Sequence, residues 1–134
     1  MGVVELFNQI ADNNFGFFQQ VHVVSDVMTA EPQTVSLDDT FADTADLMRR
    51  GRFHHAPVLD PDSQAIVGVI SDRDLLRHQP RSLGTAAERD DDSRVLQVNA
   101  SRLMSRAPIW CRQEASLTDA MTLMLENHVD SILV

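Results

Sequence analysis

The pattern of apolar and polar positions predicts a strand that runs directly into a helix near the middle of the chain. Ala65–Ile70 is short, apolar and rich in β-branched residues, which favours a buried strand. Leu75 and Leu76 then begin a helical pattern, which predicts a helix over Asp72–His78. Ser71 therefore lies where the strand ends and the helix begins.

The same spacing rules divide the rest of the chain into short strands and helices. Residues 1–20 carry apolar positions at helical spacing and predict an amphipathic N-terminal helix, which either packs on the core or forms a dimer contact. Thr40 and Asp43 fit a capping box, with Asp in place of the usual Glu. The remaining predicted elements are a strand at Val21–Val24, a turn of helix at Ser25–Thr29, a helix at Phe41–Arg50 and a strand at Phe53–Leu59.

The chain contains an internal repeat. A shift of 76 positions, which takes Met28 to Met104, aligns the region from residue 21 with the region from residue 95 without a gap. The matched residues are Ser25 and Ser101, Pro32 and Pro108, Asp43 and Asp119, Leu47-Met48 and Leu123-Met124, and Val58 and Val134. We therefore divide the chain into a first repeat (21–78), an acidic linker (79–94) and a second, incomplete repeat (95–134).

Composition and charge exclude several classes of function. The formal net charge is -9, and all eleven basic residues are arginines, which argues against general nucleic-acid binding. The single Cys111 excludes an internal disulfide. The sequence contains neither an apolar run of membrane-spanning length nor a signal-peptide pattern, so we expect a cytoplasmic protein without membrane contact.

Ser71 and Asp74 are the residues with the clearest candidate chemistry. A helix start leaves backbone N–H groups without partners and can hold an anion, and the Ser71 hydroxyl lies at that position. The Asp74 carboxylate only accepts hydrogen bonds, which suits the paired hydroxyls of a ribose. Gly68, inside the strand, favours close backbone approach. The alternative is purely local, because Ser-x-x-Asp before an apolar pair also resembles a capping box.

The repeat and its motifs together resemble a tandem pair of CBS domains, known as a Bateman module. The most specific parts are Val27-Met28-Thr29, His55-Ala56-Pro57-Val58-Leu59-Asp60 and Gly68–Asp74. The resemblance implies an α/β (α+β) fold of two β-α-β-β-α repeats about a pseudo-two-fold axis. It also implies a regulatory role without catalysis or a required cofactor, a homodimer, and an adenosine ligand such as AMP, ADP, ATP or S-adenosylmethionine. The regulated partner is unknown.

The resemblance assigns roles to individual residues. Asp74 would bind the ribose, Ser71 would lie beside the phosphate, and Val69 would touch the base. One of His54 and His55 would face the cleft and contact phosphate, since adjacent strand side chains point to opposite faces. The second repeat would close in the base through Val129, Met104, Ser105 and Ile109.

Two other hypotheses remain open at this stage. The chain could be an assembly module without a ligand, or, as the weakest reading, a small hydrolase using Asp72, Asp74 and a histidine. The alignment also predicts that the second repeat lacks its last strand and helix, and that this chain is a shortened fragment of a longer protein. It would then carry at most one nucleotide site, and Ile132-Leu133-Val134 would be an exposed apolar edge.

Overall fold

The computed structural model describes residues 1–5 and 23–134. Their short strands form two sheets, and short helices connect and cover them. The strands are β1 (Gly2–Glu5), β2 (Thr29–Ala30), β3 (Val35–Ser36), β4 (His55–Leu59), β5 (Ile66–Ser71), β6 (Ser105–Arg106) and β7 (Ser131–Leu133). The α-helices are α1 (Phe41–Gly51), α2 (Asp72–His78), α3 (Asp90–Ser93), α4 (Ala100–Leu103) and α5 (Leu117–Glu126). Short 3-10 helices cover Val24–Asp26 and Arg94–Gln97.

The chain divides into two compact units. The central unit comprises Gln33–Ala107, and the terminal unit comprises Met1–Pro32 with Pro108–Val134. The central unit holds the sheet β3-β4-β5-β6, and the terminal unit holds the sheet β2-β1-β7. Each unit therefore combines elements from both sequence repeats.

The core of the central unit forms where α1 and α2 pack on β4 and β5. Strand β5 is antiparallel to β4, and His55 lies opposite Ser71. The apolar side of α1 supplies Phe41 and Met48, as its sequence spacing predicts. The buried cluster is completed by Val35, Ala56, Val58, Ile70, Leu75, Ala100 and Leu103.

The terminal unit has a smaller core around α5 and β7, and it overturns two expectations. Residues 2–5, predicted as helix, form strand β1, which pairs antiparallel with both β2 and β7. The predicted exposed edge is wrong because β1 covers it: Ile132 and Leu133 are each 1% exposed. The rest of the predicted N-terminal helix lies outside the described residues.

Backbone conformation repeats along with sequence. Glu31 and Ala107, which are 76 positions apart, both adopt a positive φ, at 50° and 55°. Arg52 and His128 form a second such pair, with φ of 54° at each residue. A left-handed conformation is uncommon for residues other than glycine, so its recurrence at matched positions supports the repeat independently of residue identity.

The predicted strand at Val21–Val24 lies partly outside the described residues. In its described part, Val23 makes an isolated bridge to Ser116 and Val24 begins a 3-10 helix. The acidic linker contains helix α3, and Asp92 accepts hydrogen bonds from the Ser82 hydroxyl and the Arg89 backbone N–H. These two hydrogen bonds lower the pKa of Asp92 below its ordinary value.

Candidate ligand site at the junction of strand β5 and helix α2

Ser71 and Asp74 form a reciprocal capping box at the start of α2. The Ser71 hydroxyl accepts a hydrogen bond from the Asp74 backbone N–H at 3.1 Å, and Asp74 Oδ2 accepts from the Ser71 backbone N–H at 2.8 Å. The two side chains therefore lie together, as the sequence predicted. This geometry bears out the local alternative, in which the pair stabilises the helix start.

The second carboxylate oxygen of Asp74 is held more loosely. Asp74 is 7% exposed, and its Oδ1 lies 3.5 Å from Arg77 Nη1. The Arg77 side chain is 72% exposed, and exposed ion pairs contribute only about 0–1 kcal/mol. A hydroxyl group that reached Oδ1 could replace this contact while Oδ2 kept its capping hydrogen bond.

Gly68 packs closely against Met104 and Ser105, which belong to the second repeat. A Cβ atom added to Gly68 would lie 2.6 Å from Met104 Sδ and 2.6 Å from the Ser105 carbonyl oxygen. Strand β6 pairs with β5 so that Val69 lies opposite Ser105. The structure thus brings Val69, Met104 and Ser105 together in the central unit, and their predicted contact with a base stays a prediction.

The two adjacent histidines have different surroundings. His55 lies in β4, directly opposite Ser71, and is 8% exposed. His54 Nδ1 lies 2.8 Å from Asp72 Oδ2, in an exposed contact. His55 is therefore the histidine adjacent to Ser71 in the strand ladder, whereas His54 contacts Asp72.

Ile109 and Val129 lie in the terminal unit. Ile109 packs against the core of that unit, and its carbonyl oxygen accepts a hydrogen bond from the Leu133 N–H at 2.9 Å. Val129 is 37% exposed at the end of the segment that follows α5. Their predicted role in closing the base stays a prediction.

An apolar groove between α1 and α2 was missed by the sequence analysis. It has a volume of about 500 Å³, within the usual range for ligand pockets. Arg52, His54 and Asp72 lie among its polar residues. The apolar residues are Phe41, Ala45, Met48, Phe53, Leu75 and Leu76. Leu76 is 66% exposed because α2 carries apolar residues on two sides, Leu75 facing the core and Leu76 facing outward. The adjacent leucines were the sequence signal that could have predicted this groove.

The family is decided by a match to the model of the CBS domain, which covers residues 24–81 and 100–134. The chain belongs to the CBS domain family. The two matched segments correspond to the two repeats, so the chain carries a tandem CBS pair with a mixed α+β fold, as the sequence predicted.

Individual relatives agree with this assignment. The CBS domain-containing protein YhcV of Bacillus subtilis is 30% identical over 106 residues, which are 79% of this chain and 67% of that protein. Protein YlbB of the same organism is 25% identical over 111 residues, which are 83% of this chain and 68% of YlbB.

Solved structures share the fold. The structure of CBSX2 in complex with AMP superposes with a TM-score of 0.60 and 28% identity, covering 80% of this chain and 76% of that chain. CBSX2 is a CBS-pair protein of Arabidopsis thaliana. The CBS-domain containing protein ATU1752 of Agrobacterium tumefaciens has a TM-score of 0.64 at 18% identity and 81% coverage of each chain.

Within residues 1–5 and 23–134, the helices are too short or too polar to span a bilayer. The same residues contain no group of three or more His, Cys, Asp or Glu side chains that could hold a metal ion.

Proposed function

We propose that this CBS pair is a regulatory module that binds an adenosine nucleotide at the junction of β5 and α2 and modulates a partner protein or an attached domain. The observation that carries the proposal is the Gly68-x-x-Ser71-x-x-Asp74 motif at a strand-to-helix junction. A related CBS pair, CBSX2, at 28% identity, has been crystallised with AMP, which supports an adenosine ligand. The module would have no catalytic activity of its own.

Each residue of the motif has a defined part in this proposal. Asp74 would accept hydrogen bonds from the ribose hydroxyls through Oδ1, which lies 3.5 Å from the exposed Arg77 side chain. The Ser71 hydroxyl would donate to a phosphate oxygen, since it now serves as an acceptor within the cap. Val69 would supply apolar contact to the base.

A second candidate function is an assembly module without a ligand. It is favoured by the capping box itself, because Ser71 and Asp74 already bond each other at 2.8 and 3.1 Å. In that case, replacing Asp74 would lower helix stability and change nothing else.

The first prediction separates the two functions by thermal shift and calorimetry with AMP, ADP, ATP and S-adenosylmethionine. At about a hundredfold excess over the dissociation constant, a bound ligand adds about 2.7 kcal/mol to the free energy of unfolding, which raises the melting temperature by several degrees. We expect at most one ligand per chain. Asp74→Ala should weaken binding about ten- to a hundredfold, because charge-assisted hydrogen bonds contribute about 1.5–3 kcal/mol.

Asp43→Ala is the matched control for the loss of a cap. Asp43 makes the same reciprocal bonds with Thr40, each 3.2 Å long, at the start of α1. Both variants should melt below the parent, since both lose a capping box, but only Asp74→Ala should lose affinity. Equal binding by the two variants, or no binding by the parent, would favour the assembly module.

A further inference from the structure

Strand β1 occupies in the terminal unit the place that β5 occupies in the central unit. Val3 lies opposite Leu133 of β7, as Val69 lies opposite Pro57 of β4. Leu133 and Pro57 are separated by the 76-residue repeat shift. Two strands from distant parts of the sequence therefore have the same register against equivalent partners.

The other edge of β1 shows the same correspondence. Gly2 lies opposite Ala30 of β2, as Gly68 lies opposite Arg106 of β6. Ala30 and Arg106 are again 76 positions apart. The sequence Gly2-Val3-Val4 thus fills the positions of Gly68-Val69-Ile70, although the sequence repeat places no strand there.

The glycine of each strand meets an equivalent methionine. A Cβ atom added to Gly2 would lie 2.6 Å from Met28 Sδ and 3.2 Å from the Thr29 carbonyl oxygen. At Gly68 the distances are 2.6 Å to Met104 Sδ and 2.6 Å to the Ser105 carbonyl oxygen. Met28 and Met104 are equivalent in the repeat, so the two glycines have matched neighbours, although the backbone oxygen comes closer at Gly68 than at Gly2.

The remaining contacts of β1 are backbone hydrogen bonds and buried apolar side chains. Gly2 and Val134 exchange two backbone hydrogen bonds, of 3.0 and 2.8 Å. Val3 and Val4 are 3% and 2% exposed, and Val4 belongs to the core of the terminal unit. Such contacts select an extended segment with glycine followed by two apolar residues.

We infer that the slot between β2 and β7 is a binding site for an extended segment of the type Gly-Val-Val, and that the chain fills this slot with its own N-terminal strand. The N-terminal strand thereby supplies the second repeat with a strand that is paired on both edges, as β5 is in the first repeat. The partner chemistry is backbone pairing on both edges, with Met28 and the Thr29 carbonyl oxygen crowding the glycine position.

A disulfide tests the register in the full chain. Because Gly2 and Val134 exchange both of their hydrogen bonds, Val3 and Leu133 form the closer, non-hydrogen-bonded pair, whose spacing suits a disulfide. In a Cys111→Ser background, Val3→Cys with Leu133→Cys should oxidise within one chain, as shown by mass spectrometry. Val4→Cys with Leu133→Cys is the control, since a one-residue slip puts the side chains on opposite faces.

Each outcome of the disulfide experiment is decisive. Bonding of the first pair alone, within one chain, supports the inference. A disulfide that forms mainly in the control pair would contradict the register. The absence of a disulfide in both pairs would also contradict it. A disulfide-linked dimer would overturn filling by the chain's own strand, because the strand would come from a second copy.

The glycine requirement gives an independent test. Gly2→Val in the full chain should lower the melting temperature by about 4 °C or more, because the added side chain would displace Met28 and crowd the Thr29 carbonyl oxygen. The synthetic peptide Met-Gly-Val-Val-Glu should raise the melting temperature of this variant but not that of the parent, whose slot is filled. The peptide with valine in place of glycine should have no effect. A Gly2→Val variant that melts like the parent would overturn the proposal.

Discussion

At the scale of single residues, burial separates side chains that have the same local role. Asp43 and Asp74 each accept a hydrogen bond from the N-cap backbone of their helix. Asp43 is exposed, whereas Asp74 is 7% exposed and contacts Arg77 through its other oxygen. The capping geometry thus assigns both residues to the helix start, and their surroundings differ in burial and in the contact with Arg77.

The second prediction concerns the reactivity of Cys111. Partial burial raises the pKa of the Cys111 thiol above its ordinary value, because desolvation disfavours the thiolate. At any pH below that raised pKa, the folded chain therefore contains less thiolate than the unfolded chain. We expect iodoacetamide to modify Cys111 more slowly in the native protein than in urea at pH 8.

The pH profile of alkylation identifies the cause of this slow reaction. If burial raises the pKa, the native rate should keep increasing with pH beyond the point at which the rate in urea levels off. A native rate that levels off at the same pH as the denatured rate would show that limited access, and not a raised pKa, slows the reaction.

At the scale of the elements, the helices α1, α2 and α5 begin in the same way but are secured differently. Thr40, Ser71 and Ser116 each accept a hydrogen bond from the backbone N–H three residues later. On α1 and α2, the aspartate side chain also accepts a hydrogen bond from the N-cap backbone N–H, which completes the capping box. At α5 the structure shows the Ser116 cap, and Asp119 is placed in the first turn.

The third prediction compares these helix starts by substitution. Asp43→Ala removes a capping hydrogen bond and a favourable charge in the first turn, whereas Asp119→Ala removes the charge. Since a capping interaction contributes about 1 kcal/mol and a first-turn charge about 0.3–1 kcal/mol, Asp43→Ala should cost more stability. Urea denaturation measures both costs, and an equal or larger cost at Asp119 would contradict the prediction.

At the scale of the whole molecule, apolar surface remains on the helices of each unit. On α5, Met121 and Leu125 are 41% and 72% exposed, one turn apart on the same side of the helix. In the central unit, Leu76 is 66% exposed beside the apolar groove. Exposed apolar residues on one side of a helix, as Met121 and Leu125 are, are typical of protein–protein contacts.

The fourth prediction is therefore a homodimer in solution. Sedimentation at micromolar concentration should show a species about twice the 15.0 kDa chain mass. Leu125→Arg should raise the dimer dissociation constant about tenfold or more, because burial of a leucine contributes about 1.5–3 kcal/mol. Glu126→Gln, at the neighbouring exposed position, is the control and should leave the dimer unchanged. A parent protein that sediments only as a 15 kDa species would contradict the prediction.

Features that join residues close together in the sequence could be predicted from the sequence alone. The capping boxes of α1 and α2 join residues three positions apart, and the strand-to-helix junction at Ser71 follows from a change of hydrophobic period. The repeat was also readable, since a gapless shift of 76 positions needs no knowledge of contacts. These features predicted the proximity of Ser71 to Asp74, and the resemblance of the repeats and their motifs to CBS domains implied the α+β fold and the CBS pair.

Features that join distant parts of the chain became visible only in the folded structure. Val3 and Val4 fit the apolar spacing of a helix and a strand equally well, and pairing with β7, at the other end of the chain, makes them a strand. Likewise, the contact of His54 with Asp72 depends on the pairing of β4 with β5, and the groove beside it depends on how α1 and α2 pack. The physical reason is that long-range pairing follows from which strand edges and helix faces remain uncovered, and local spacing does not contain that information.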